Sequence, residues 1–140
     1  MTIIVDLSVA LKWYVAEDGS DLALAILDSA DILAAPEYLH VEAANAMWAA
    51  VEKKRRFSAE IAWDVLSSLR ASRILQLMPT SPLLETATRL AFEIRHPVYD
   101  CIYLAAALAI DGYVLTADRA FVDSATVQRR YADRVRLLGD

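Results

Sequence analysis

The chain has 140 residues, 57% of them apolar, which is enough to bury the core of one domain without staples. Its one cysteine, Cys101, excludes an intramolecular disulfide framework, and the longest apolar run, Cys101 to Ile110, is too short to cross a bilayer. A formal net charge of −5 argues against a broadly basic surface that holds nucleic acid by counterion release; any such contact is local, helped by a bound cation, or gives way to a basic partner.

Thr2–Val5 is a short β-branched run and reads as a strand. It enters Asp6 directly, with no basic region or long apolar stretch before it, so no signal peptide is read and a soluble cytoplasmic protein is expected. Ser8–Val15 and Asp21–Ser29 have helical spacing, separated by the polar stretch Glu17-Asp18-Gly19-Ser20. Ile32–Ala35 is a second strand, with Pro36 where a helix can begin. The following helix runs to about Lys54 with Leu39, Val41, Ala44, Met47, Trp48 and Val51 as its apolar surface. Ser58 is an N-cap for a helix to Leu69.

Ile74–Met78 is a third strand, and Ser81-Pro82 opens a helix to about Ile94. After the Pro97 break comes a strongly apolar helix from Tyr99 to Ile110, stopped by Asp111-Gly112. Tyr113–Thr116 is a fourth strand, Arg119–Tyr131 a helix, and Val135–Leu138 a fifth strand. No repeat or interdomain linker interrupts the pattern, so residues 1–140 read as a single domain. Alternating strands and helices predict an α/β fold, a three-layer α/β/α sandwich around a mainly parallel sheet of about five strands.

Four acids stand out in that frame. Asp6 follows the first strand, Asp118 follows the fourth, and Asp100 opens a helix after Pro97. Ligands of parallel sheets collect beyond the carboxyl ends of the strands. Glu42 lies inside a long helix, one turn before Asn45, and joins the others if that helix crosses the same end of the sheet. Two unit charges 4 Å apart repel by about 4 kcal/mol at an effective dielectric of 20, so a cluster of four takes up protons or binds a cation. With no histidine or cysteine nearby, its hard oxygens suit Mg²⁺ or Mn²⁺ rather than zinc. Such an ion activates water and neutralises charge on a phosphodiester oxygen.

Each acid taken singly also suits a structural role: Asp6 and Asp118 as helix caps, Asp100 as a partner of its helix dipole, Glu42 as a solvated residue, although its neighbours Val41 and Ala43 read as mostly buried. Asp123 reads as a solvated helix acid in preference to a fifth carboxylate. Lys12 and Arg119, beside the acids, suit phosphate contact and surface ion pairing equally. The basic run Lys53-Lys54-Arg55-Arg56 suits a helix C-terminus. His40 and His96 are isolated and poor catalytic candidates; Trp13, Trp48 and Trp63 fit core or dimer packing, and Cys101 core packing.

Val5-Asp6-Leu7-Ser8-Val9-Ala10-Leu11-Lys12-Trp13 resembles the opening motif of PIN-domain ribonucleases, and within them the VapC-type toxins of toxin–antitoxin modules. Pro36-Glu37-Tyr38-Leu39-His40-Val41-Glu42-Ala43-Ala44-Asn45-Ala46 resembles the second motif, His96-Pro97-Val98-Tyr99-Asp100-Cys101-Ile102-Tyr103-Leu104-Ala105 the third, and Leu115-Thr116-Ala117-Asp118-Arg119-Ala120-Phe121 the fourth. The match covers essentially the whole chain, in order. The resemblance implies a Mg²⁺- or Mn²⁺-dependent endoribonuclease, a homodimer, and inhibition by a small antitoxin encoded beside it. It carries the acidic tetrad onto Asp6, Glu42, Asp100 and Asp118, as catalytic residues and metal ligands, with Ser8 and Thr116 as the hydroxyls that orient them; Asn45 is an auxiliary candidate.

Three rival functions meet the same residues. A haloacid-dehalogenase-type phosphatase needs a second Asp two residues after Asp6, where Ser8 stands. A nucleotide-binding module lacks a glycine-rich phosphate loop after any strand. A PIN-like module that binds nucleic acid or a partner without turnover is the remaining alternative.

Overall fold

The computed structural model describes residues 1–29 and 31–140. Five strands, β1 (Thr2–Val5), β2 (Ile32–Pro36), β3 (Gln76–Met78), β4 (Tyr113–Thr116) and β5 (Val135–Leu137), pair in parallel throughout, in the order β3-β2-β1-β4-β5. Ile3 and Ile4 of β1 face Leu33 and Ala34 of β2 on one side and Tyr113 and Val114 of β4 on the other. This central strand is buried from Ile3 to Val5, which is why it carries β-branched residues without polar alternation.

Among the described residues, seven helices connect the strands: α1 (Leu7–Ala10), α2 (Ser20–Ala25), α3 (Tyr38–Glu52), α4 (Ala59–Ala71), α5 (Leu84–Ile94), α6 (Val98–Ala109) and α7 (Arg119–Val127). The chain moves outward from β1 to β2 and β3, then crosses back to β4 and β5. Right-handed crossovers therefore put α1–α4 on one face and α5–α7 on the other, giving three layers. Helix α6 packs across β1, β2 and β4, and its residues Cys101 to Ala107 are buried without a break. A helix apolar on every side is one enclosed on every side; here α5 covers what the sheet does not.

Several boundaries differ from the sequence reading for local reasons. The first helix is a single α-turn followed by a 3-10 turn, Leu11–Trp13. Pro36 does not open a helix but ends β2, because the Glu37 amide donates to the Met78 carbonyl (2.8 Å) and prolongs the β2–β3 ladder. Helix α3 starts at Tyr38, whose amide is taken by the Thr80 hydroxyl (2.8 Å). The expected helix start at Ser81-Pro82 is instead a 3-10 turn, Ser81–Leu83, and α5 proper begins at Leu84. Ser58 caps α4 as expected, accepting from the Ile61 amide (3.3 Å).

Gly112 ends the α6–β4 connection with its amide on the Ala107 carbonyl (2.9 Å). A Cβ there would collide with the Thr2 carbonyl oxygen at the start of β1. Gly112→Ala is therefore expected to destabilise the fold by about 1–3 kcal/mol, read as a lower midpoint in thermal unfolding.

Candidate active site

Asp6 follows β1 at the carboxyl edge of the sheet, next to the end of β4, the point where the chain leaves neighbouring strands in opposite directions. Its amide donates to the Leu115 carbonyl (3.0 Å), which fixes it to β4, and the residue is 5% exposed. Both nearby hydroxyls converge on one carboxylate oxygen: Ser8 Oγ donates to Oδ2 at 2.6 Å and Thr116 Oγ1 at 2.7 Å. The same two hydroxyls accept from the loop after β4, Ser8 from the Ala117 amide (2.9 Å) and Thr116 from the Asp118 amide (3.1 Å). Asp6, Ser8, Thr116 and Asp118 thus belong to one hydrogen-bonded unit.

The remaining acids arrive from helices. Glu42 lies in α3 and its Oε1 accepts from the hydroxyl of Tyr103 in α6. Asp100, in the first turn of α6, sits with its Oδ2 2.6 Å from His96 Nε2. Asp118 caps α7, its Oδ1 accepting from the Ala120 amide (2.9 Å). Among the described residues, the second oxygens of Glu42, Asp100 and Asp118 accept no hydrogen bond.

Electrostatics follows from this crowding. Burial pushes the Asp6 carboxyl up to about 6, opposed by the Ser8 and Thr116 hydroxyls and reinforced by Asp100. Burial pushes Glu42 up to about 7, opposed by the Tyr103 hydroxyl and reinforced by Asp6 and Asp100. Asp100 is raised by burial and by Asp118, against the stabilising pull of His96. The Tyr103 hydroxyl is driven well above its ordinary value, by burial first and then by Asp6 and Glu42, so it stays a donor.

Asp100 is the common partner, meeting Asp6, Glu42 and Asp118 by charge, but the four acids are not equidistant. Ligand atoms of His96, Asp100 and Asp118 lie within 4.8 Å of one another. Among the described residues no other group of three is as tight, so Asp6 and Glu42 stand outside it, coupled to Asp100 by charge. A groove of about 660 Å³ opens beside them, lined by Leu7, Tyr38, Val41, Glu42, Tyr99 and Asp100 among others. Tyr38 and Tyr99 stack along it, with centroids 6.0 Å apart.

Some expectations need correction. Val41 is not buried but 62% exposed on the groove wall, while Ala43 is buried. Trp48 and Trp63 are exposed, so of the two alternatives, core or dimer packing, the core one holds for Trp13 alone, which is half-buried and donates to the Ala23 carbonyl (2.8 Å). The cluster does have a histidine: His96 contacts Asp100 directly. Asn45 lines the groove, but no hydrogen bond joins it to the acids among the described residues. Lys12 pairs with Glu17 (3.1 Å), Arg119 lies 3.7 Å from Asp140, and Asp123 is exposed. Cys101 is fully buried, its thiol pushed up to about 12 by burial, which suits core packing. Tyr103 and His96 are the site residues that the sequence reading did not select. Tyr103 has a signal in its spacing, three residues after Asp100 on the same helix face, whereas His96 precedes the helix and is brought to Asp100 by the turn at Pro97.

No family profile and no curated protein matches the sequence. Solved structures do match in fold. PAE2754 from Pyrobaculum aerophilum superposes with a TM-score of 0.67 at 21% identity, over 89% of this chain and 79% of that one. VapC20 of Mycobacterium tuberculosis, described as a sarcin–ricin-loop-cleaving toxin, gives 0.66 at 15% identity, over 87% and 94%. A toxin–antitoxin complex from Klebsiella pneumoniae gives 0.56 at 17% identity, over 83% and 86%. The likeness is one of fold: this chain has the PIN-like α/β architecture of the VapC-type structures.

The raised acids have a measurable cost. The folded state holds the Asp6 proton to about pH 6 while the unfolded chain releases it near 3.8, so this group's contribution to stability falls as pH rises between those values and stays low above them. In EDTA, Asp6→Asn is expected to raise the unfolding midpoint by roughly 3–8 °C at pH 7.5. The gain should vanish near pH 4, as followed by thermal denaturation.

Proposed function

We propose that this protein is a divalent-metal-dependent endoribonuclease, the toxin component of a toxin–antitoxin pair, with Asp6, Glu42, Asp100 and Asp118 as its catalytic and metal-binding acids. The observation that carries the reading is that Asp6, Glu42 and Asp118, from three other parts of the chain, each meet Asp100 by charge, and that Asp100 and Glu42 line an open groove. Residues buried only for packing do not gather like charges at the one place where a parallel sheet takes its ligands.

The donor set fits a hard cation: oxygens dominate, Cys101 is a buried protonated thiol, and the ring of His96 is engaged by protein partners. Asp6 and Asp100 would hold the ion, and Asp118 would complete its surroundings from the head of α7. When bound, a divalent cation lowers the pKa of water and offsets charge on a phosphodiester oxygen. Asp6 contributes through Oδ1, because Ser8 and Thr116 occupy Oδ2. Glu42, anchored at Oε1 by Tyr103, orients the attacking water with Oε2 and takes its proton. The stacked Tyr38–Tyr99 pair bounds the groove where the RNA strand lies.

The net charge of −5 fits substrate capture through the cation rather than through a basic surface. Likeness in fold to the Klebsiella pneumoniae toxin–antitoxin complex supports a small antitoxin as partner. Exposed Leu84 and Phe92 on α5 support a homodimer, and a lone unpaired cysteine fits the reducing cytoplasm. Among the described residues no helix is long and apolar enough to cross a membrane.

Purified protein is expected to cut structured RNA internally with Mg²⁺ or Mn²⁺ and to stop with excess EDTA, as followed on end-labelled RNA. Asp6→Asn and Asp100→Asn should each lower the cleavage rate by on the order of 100-fold or more. Unchanged cleavage in both variants would overturn the assignment. Tyr103→Phe removes the hydroxyl that anchors Glu42 and should slow cleavage about 10-fold, with the fold retained by circular dichroism.

A further inference from the structure

We propose that His96 is a positioning residue for Asp100: a chain of contacts Ser124–His96–Asp100 fixes which oxygen of that carboxylate faces the groove. The inference rests on the metal-site reading given above and adds a residue that the four acids do not include.

His96 sits in the reversal between α5 and α6. Arg95 turns the chain with a φ of +54°, and Pro97 precedes the first residue of α6. The ring is held on three sides. Nε2 lies 2.6 Å from Asp100 Oδ2, Nδ1 lies 3.0 Å from Ser124 Oγ, and the ring plane stacks on Phe121, 5.2 Å between centroids and 12° from parallel. Phe121 is fully buried, and the His96 side chain is only 10% exposed.

An ionised carboxylate only accepts, so Nε2 carries the hydrogen toward Asp100, and Nδ1 pairs with the Ser124 hydroxyl, which can either donate or accept. Both nitrogens are thereby engaged, and the ring has no lone pair left for a cation, although it lies within 4.8 Å of Asp100 and Asp118 ligand atoms. Its effect is indirect. The terminal torsion of an aspartate is broad, and Asp100 is repelled by Asp118, so an untethered carboxyl swings away from its neighbours. The ring holds Oδ2 and leaves Oδ1 without a hydrogen-bond partner among the described residues. Because Ser124 and Phe121 both belong to α7, whose cap is Asp118, the ring also ties together the two helices that present these acids. Partners that orient a metal-binding group in this way typically change affinity by about 10–100-fold.

The test is Mn²⁺ binding by the full chain, followed by electron paramagnetic resonance. His96→Ala should weaken binding about 10–100-fold. His96→Gln, whose amide places an N–H where Nε2–H stood, should recover most of that loss. Ser124→Ala keeps the ring and its packing and should weaken binding severalfold, which reads the same chain if His96→Ala proves poorly folded. Pulsed spectra of the wild type should show no directly coordinated imidazole nitrogen. Wild-type affinity in both His96→Ala and Ser124→Ala, a glutamine variant no better than the alanine, or a coordinated imidazole nitrogen would overturn the proposal. Uptake that is lost in Asp100→Asn but kept in His96→Ala would overturn it alone. A wild-type chain that takes up no Mn²⁺ would overturn the metal-site reading and this inference with it.

Discussion

Burying a carboxylate costs free energy unless donors surround it, and Asp6 is where this fold meets that requirement. The charge sits between the ends of β1 and β4, and the Ser8 and Thr116 hydroxyls both point at one of its oxygens. The loop that leads to Asp118 hangs from those hydroxyls through two backbone amides. One solvation shell made of protein therefore does two things: it keeps a buried acid tolerable and it delivers a second acid to the same place. Parallel pairing of β1 with β4 is what allows this, since it puts the two strand ends side by side.

The helical acids obey a related rule with different donors. Tyr103 holds one oxygen of Glu42, and His96 holds one oxygen of Asp100. Both donors are near or within α6, the helix enclosed between sheet and α5. The groove side of the cluster is thus adaptable, while its rear side is set by the core. Such division is expected of a site that binds something charged, because the oxygens that meet a ligand need room and the oxygens that do not need anchors.

Much of this was legible in the sequence. The five strands, their parallel pairing and the placing of Asp6 and Asp118 after strands and of Asp100 at a helix start follow from alternating strand and helix patterns and from the Pro97 break, but the strand order does not. What escaped was set by tertiary contact. Pro36 belongs to a strand because Met78, far along the chain, pairs beside it. Val41 is exposed because the groove interrupts the face that helical periodicity assigns to the core. Trp48 and Trp63 sit on a depression between α3 and α4 rather than under a covering layer. His96 reads as an isolated residue before a proline, and its partners Ser124 and Phe121 come from a helix folded back over it.

Helix α6 carries Asp100 on its first turn and Tyr103 three residues later, and it ends where Gly112 presses against the start of β1. Its length is therefore a ruler laid between the two poles of the molecule. An α-helix advances about 1.5 Å and turns about 100° with each residue, so one residue gained or lost within it rotates everything upstream out of register. Surface loops of this chain can drift in length, whereas this segment is fixed in residue count.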